Sequence, residues 1–205
     1  MSNISRIFSA ELDGIDAKLI EVETDINVGL HSFTIVGLAD KALSEAKERV
    51  NSALKNIGVK PPTKENRRIV VNLAPADIKK TGSQYDLAIA IGYLLATKQL
   101  KNFDADQAIF AGELSLEGKL RAVNGVLSIA DLAKKSGFSR IFLPNVNAAE
   151  AAMVSGIQVI PIASLDELVS HLEGRRVIAP QAATEIKSSE DAAFVDISDI
   201  KGQEH

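Results

Sequence analysis

The sequence predicts a layered α/β domain, an α+β sandwich, and three observations carry the prediction. β-type segments alternate with helical ones along most of the chain, the pattern of a sheet covered by helices. Apolar residues make up 46% and charged residues 24% of 205 residues, the balance of an ordinary globular protein with one good core. Aromatic residues contribute only 4%, so that core rests on Ile, Leu, Val and Ala.

In chain order, RIFSAELDGIDAKLIEVETDI reads as two β segments around a turn at Asp13-Gly14, and SFTIVGL as a third strand. Ala39, Leu43, Ala46, Val50, Ala53, Leu54 and Ile57 recur at helical spacing, with Gly58 placed to stop the helix. The double proline of VKPPTKENRR forbids helix and leaves a basic loop. RIVVNLAP is a strand, and KKTGSQYD is a polar turn opening the apolar helix LAIAIGYLLA. AIFAGEL and LRAVNG read as strands around a turn at Glu117-Gly118, followed by the amphipathic helix VLSIADLAKKSG, which ends at Gly137. RIFLP is a strand, NAAEAAMVSG a short helix and IQVIPI a strand; Ser164 with Glu167 makes a capping box for LDELVSHL. After Gly174 periodicity ends, so residues 173–193 read as a linker or edge segment.

Composition excludes several function classes. A formal charge of −4 gives no global attraction to nucleic acid, so any such contact needs a local patch. With no cysteine there is no disulfide, thiolate nucleophile or Cys-based zinc site, which suits a cytoplasmic protein. The start MSNISRIFSAELDG lacks the form of a signal peptide, and the apolar run Leu87 to Thr97 is about half of the ~20 residues that span a bilayer. GELSLEGKL departs from a phosphate-binding loop: five residues separate its glycines and Leu120 follows Lys119, where a Ser or Thr must reach magnesium. His31, His171 and His205 form no ligand spacing, and His171 is explained by the dipole of the helix it ends. No metal or cofactor site is expected in these residues.

Two features remain as candidate sites. Lys60, Lys64, Arg67 and Arg68 precede a strand and Lys79 and Lys80 follow it, about 25 Å apart at ~3.3 Å per residue, either as phosphate contacts or as a solvated edge. Gly82 and Ser83 open a helix whose free N–H groups could hold an oxyanion, although Asp86 is placed to cap those same amides.

Three ordered stretches, FTIVGLADKALSEAKERVNSAL, VNLAPADIKKTGSQYDLAIAIGYLL and FAGELSLEGKLRAVNGVL, closely resemble the N-terminal domain of the ComM/YifB family of Mg-chelatase-like AAA+ ATPases. The resemblance covers residues 1–172, and residues 194–205, FVDISDIKGQEH, resemble the lead-in to the AAA+ module. It implies the fold of the Lon proteolytic domain, a ribosomal protein S5 domain 2-like sandwich. Lon-type proteases join a serine in a Gly-Pro-Ser-Ala-Gly turn to a lysine after a Gly-Gly pair, and a desolvated lysine can accept the serine proton. Aligned on Gly82, the nucleophile position holds Gln84, with Ser83 one residue early; Asn124-Gly125 replaces the glycine pair and Leu127 the lysine. Lys134 is about 10.5 Å further along the helix.

The resemblance thus implies a non-catalytic domain of a hexameric ATPase that migrates DNA branches in recombination or natural transformation, with ATP and Mg2+ held outside these residues. Two alternatives stand beside it, a Lon-like serine peptidase with rearranged partners and a chelatase-type domain that recruits a protein.

Overall fold

The computed structural model describes residues 4–38, 40–64, 66–101 and 103–185. The expected lead-in at 194–205 therefore lies outside the described residues, as does His205.

The predicted first hairpin forms: β1 (Ser5–Asp13) and β2 (Asp16–Val28) pair antiparallel, and Gly14 takes a positive φ of 66° in the turn. β3 (Ser32–Val36) does not pair with β2, because β4 (Arg67–Ala74) lies between them, antiparallel to β2 and parallel to β3. β5 (Ala108–Phe110), β8 (Arg140–Pro144) and β9 (Gln158–Ile162) extend the sheet in parallel beyond β1, giving the order β3-β4-β2-β1-β5-β8-β9.

Successive strand residues point to opposite faces, and here the two faces feed two cores. Ala108, Phe110, Phe142, Ile160 and Ile162 join α2 (Ala46–Asn56), α3 (Asp86–Ala96) and α6 (Leu165–Leu172). Ile109, Ile141, Leu143 and Val159 join α4 (Val126–Lys135) and α5 (Asn145–Ala151) on the other side. α3 packs on β1 and β2 below and on α2 above, and its residues are buried all round except the half-buried Leu95. That is why its sequence is apolar without a polar stripe.

Three local expectations change. The helix predicted through 39–57 is broken at Glu45 into α1 (Lys41–Ser44), capped by Asp40, and α2; α1 buries Leu43 and α2 buries Ala46, Val50, Ala53 and Leu54, and Gly58 ends the second at φ +80°. AIFAGEL is two strands, since after β5 the chain leaves the sheet at Ala111-Gly112 and forms a separate ribbon, β6 (Glu113–Leu114) against β7 (Leu120–Arg121). The departure lets Gly112 bond the start of α3: its N–H donates to the Gln84 carbonyl at 2.8 Å and its carbonyl accepts from the Leu87 N–H at 3.1 Å. In the predicted capping box Ser164 accepts from the Glu167 N–H at 3.2 Å, but the Glu167 carboxylate takes the Ala163 N–H at 2.7 Å instead of Ser164's own.

Beyond α6 the chain runs back over β9, with N–H groups of Gln181 and Thr184 donating to the Val159 and Ala152 carbonyls. His171 anchors this return. Its Nδ1 accepts the Ile178 N–H at 3.0 Å and its ring meets Phe142 edge-on, so a specific contact replaces the expected dipole role. Burial first, then the nearby Arg140 charge, holds its pKa below the usual histidine value.

Candidate functional site

The polar turn ahead of α3 lines a cleft of about 330 Å³ between β1, β6 and the start of α4. Its inner wall is Glu11, a β1 carboxylate that stands in phase with Ile7 and Ser9 and is therefore carried inward. Glu11 is buried and fully engaged: it accepts from the Thr81 N–H at 3.1 Å, the Thr81 hydroxyl at 2.7 Å, the Gln84 amide at 3.1 Å and the Tyr85 hydroxyl. Burial, reinforced by Glu11, drives the Tyr85 phenol well above its usual pKa, so it stays protonated as a donor.

Ser83 and Gln84 both line this cleft, but the partners they find are acidic. The Ser83 hydroxyl donates to Glu113, which also takes Arg121 at 3.0 Å. Burial pushes the Glu113 carboxyl up, yet bonds from Ser83 and Arg121, with the charges of Arg49 and Arg121, outweigh it and leave it below the usual carboxylate range. A carboxylate held that low is a weak acceptor for a serine proton. Among the described residues no lysine or histidine lines the cleft.

The helix position expected for a lysine is elsewhere. Leu127 is 43% exposed and lines a separate groove with Ile15 and Val154. Lys134 lies beside Gly156, on the α5–β9 side. Asn124 lines the cleft, and Gly125 follows it at φ +69° with Leu12 so close that a β-carbon would sit 2.4 Å from its side chain. The glycine here serves packing.

Asp86 does not cap α3. The first amides of the helix are taken by backbone carbonyls, Asp86's by Ser83 and Leu87's by Gly112, which frees the carboxylate to turn inward. There it receives Arg49 of α2 in a two-pronged pair at 2.6 and 3.0 Å and accepts the Leu114 N–H at 3.1 Å. Burial dominates and pushes the Asp86 pKa up to about 6, against the opposing pull of Arg49.

The basic residues divide as the strand length predicted. Lys60, Lys64, Arg67 and Arg68 sit at the start of β4, while Lys79 lies at its far end, where the Lys80 N–H donates to the Leu38 carbonyl beyond β3. Lys80 itself is no surface cation: it is buried, its ammonium donates to the Pro75 carbonyl, and burial lowers its pKa. Its aliphatic stem and head fill the interior behind the turn, which the sequence pattern Lys-Lys-Thr-Gly did not reveal. In exchange, the fold adds Lys98 and Lys101 to the Lys60 group. The Lys60 N–H donates to the Gln99 side chain at 2.7 Å, and the Lys60 carbonyl accepts from Gln99 at 2.9 Å and from Tyr93 at 3.0 Å. Lys64, Lys98 and Lys101 are exposed at this pole, and Arg68, exposed at the same strand end, lines a groove with Glu23 and Asp25.

Sequence reasoning missed Glu11, Arg49 and Glu113. Only Glu11 left a trace, as an acidic residue at an inward β position. Among the described residues no group of His, Asp and Glu could hold a metal ion, and no helix is long and apolar enough to cross a membrane.

Comparison with known proteins fits this picture. The family described as subunit ChlI of Mg-chelatase matches residues 22–147, from β2 through the cleft to α5. The competence protein ComM of Haemophilus influenzae is 38% identical over 208 residues, covering 99% of this chain and 40% of that protein. The YifB protein of Escherichia coli is 39% identical over 191 residues, covering 93% of this chain and 37% of that protein. An archaeal Lon protease of Methanocaldococcus jannaschii is 28% identical over 151 residues, 74% of this chain and 22% of that protein. The chain thus spans about two fifths of the length of ComM and YifB. A match that runs through the sheet, the polar turn before α3 and α4 places the chain in the Mg-chelatase ChlI family, as a homologue of ComM and YifB.

Proposed function

We propose that this chain is a non-catalytic binding and assembly domain of a ComM/YifB-type Mg-chelatase-like ATPase that engages DNA for branch migration in recombination or natural transformation. ATP and Mg2+ would be held by other residues of such a protein, which would work as a hexamer in the cytoplasm. The observation that carries the reading is the gathering of Lys60, Lys64, Arg68, Lys98 and Lys101 at one pole, remote from a cleft lined by carboxylates. Such a pole attracts phosphates by counterion release, and an acidic cleft repels them. Against a serine hydrolase, the Ser83 hydroxyl donates to a carboxylate held below its usual pKa, where a base is required.

The test is binding of duplex DNA at low salt by the parent chain and a Lys64→Glu/Arg68→Glu/Lys101→Glu variant. The expected result is at least a tenfold loss of affinity, with a salt slope about 0.9 shallower for each phosphate contact removed. Unchanged affinity would refute the DNA role. Casein hydrolysis by the parent that is abolished by Ser83→Ala would refute the non-catalytic reading.

A further inference from the structure

α4 carries more apolar surface than the sheet uses. Val126, Ile129, Ala130 and Ala133 form its buried stripe and fill the second core. Leu127 and Leu132 stand beside that stripe, and with Ile15, Ala17 and Val154 they line a groove of about 490 Å³. Ile15 is 89% and Leu127 43% exposed. Specific bonds shape this groove. The Ser128 hydroxyl donates to the Ile15 carbonyl at 2.6 Å, fastening the β1–β2 turn to the helix, and Asp131 holds Lys135 at 2.6 Å along the rim.

The chain itself is led to this groove. Past α6 the Gln181 N–H donates to the Val159 carbonyl at 2.8 Å, and the Thr184 N–H then donates to the Ala152 carbonyl at 3.1 Å. Ala152 is two residues from Val154 of the groove wall, at most about 7 Å away. From Glu185 the sequence continues as IKSSEDAA and then FVDI. Nine Cα steps from Glu185 to Phe194 span at most about 30 Å, several times the way to Val154. A tether of that length gives an effective concentration on the order of 1 mM, so even a weak apolar contact is occupied. Ile186 is a lone aliphatic followed by five polar residues, whereas Phe194, Val195 and Ile197 come together.

We propose that the segment 194–197 of this same chain docks in the α4 groove. Extended, it places Val195 and Ile197 on one side, against Ile15, Leu127 and Val154, and turns Asp196 to water. Docking fixes the direction in which the polypeptide leaves the sheet, and it does so on the helix that also sends Ile129 into the wall of the cleft. The proposal goes beyond the DNA-binding reading and does not depend on it.

The chain has no cysteine, so a pair of introduced thiols reports the contact in the full chain. Asp131→Cys/Ser198→Cys flanks the groove and the segment while leaving their apolar residues in place. Under mild oxidation this pair should close within one chain at least tenfold faster than the same pair combined with Ile15→Asp/Leu127→Asp. Both added changes fall at exposed positions, and an unchanged far-ultraviolet circular dichroism spectrum checks that the variant folds. Equal closure rates overturn the proposal. A disulfide that forms between chains, at a rate rising with concentration, also overturns it and assigns the groove to a second copy. In the cysteine-free chain, Val195→Ser/Ile197→Ser should shift the amide resonances of Ile15, Asp131 and Val154 and leave those of Lys98 and Lys101 in place. Unmoved groove resonances, or the same shifts from Ile186→Ser alone, overturn the stated occupant. Neither readout contains DNA, so failure of the DNA-binding reading leaves this one standing.

Discussion

The Asp86 carboxylate lies fully buried beneath α2 and is paired with Arg49. Its ordinary pKa of 3.8 rises to about 6 through burial, so the folded chain holds this proton more tightly than the unfolded chain does. Stability from this group is therefore greatest at low pH and is lost as pH rises from about 4 to about 6. Arg49→Met removes the cation and strands the charge, which should cost about 3–5 kcal/mol at pH 7.5. Because losing Arg49 raises the folded pKa further, that deficit should shrink by pH 5. Urea unfolding of both proteins at the two pH values checks it, and a deficit that is constant or grows on acidification would refute the account. At this scale the sequence was least informative. Asp86 read as a helix cap and Lys80 as a surface cation, and their inward orientation depends on carbonyls and helices that pack on them in the fold.

The elements were far more legible, because apolar period and glycine stops are local signals. Most strand and helix positions along the chain match the reading, although the strand expected over LRAVNG shortens to Leu120–Arg121; the break at Glu45 and the departure of the chain from the sheet at Gly112 come from tertiary demands. The stretch after β3 shows how tightly elements depend on a single turn. Gly37 has φ +109°, and a β-carbon there would lie 2.3 Å from the Leu73 carbonyl oxygen of β4. The next residue, Leu38, is itself left-handed at φ 51° and accepts the Lys80 N–H, while Asp40 caps α1 with one oxygen and holds the Gly82 N–H at 3.2 Å with the other. Gly37→Ala adds backbone strain and a clash with a carbonyl that cannot move freely, so it should destabilise by roughly 2–4 kcal/mol. Thermal unfolding should show the loss, and a change below 0.5 kcal/mol, roughly the limit for an innocuous surface site, would refute it.

For the whole molecule, the alternation of elements was enough to predict the α/β class, whereas sheet order was not encoded locally. Nothing in SFTIVGL states that its partner is a strand more than thirty residues away, and the crossing of the β2–β3 connection over β4 is visible only once that pairing exists. The same holds for the basic pole, since Lys98 and Lys101 join Lys60 only because α3 ends beside the proline turn. That central helix has a further consequence. Enclosed by strands on one side and α2 on the other, its backbone cannot meet solvent through a fraying end or a lifted loop. Deuterium should reach the amides of Ala90 to Leu94 only when the entire domain opens, so their exchange free energy should equal that of global unfolding in urea. Faster exchange would mean that the two cores separate before they melt; equality would make one buried helix a clock for the lifetime of the whole fold.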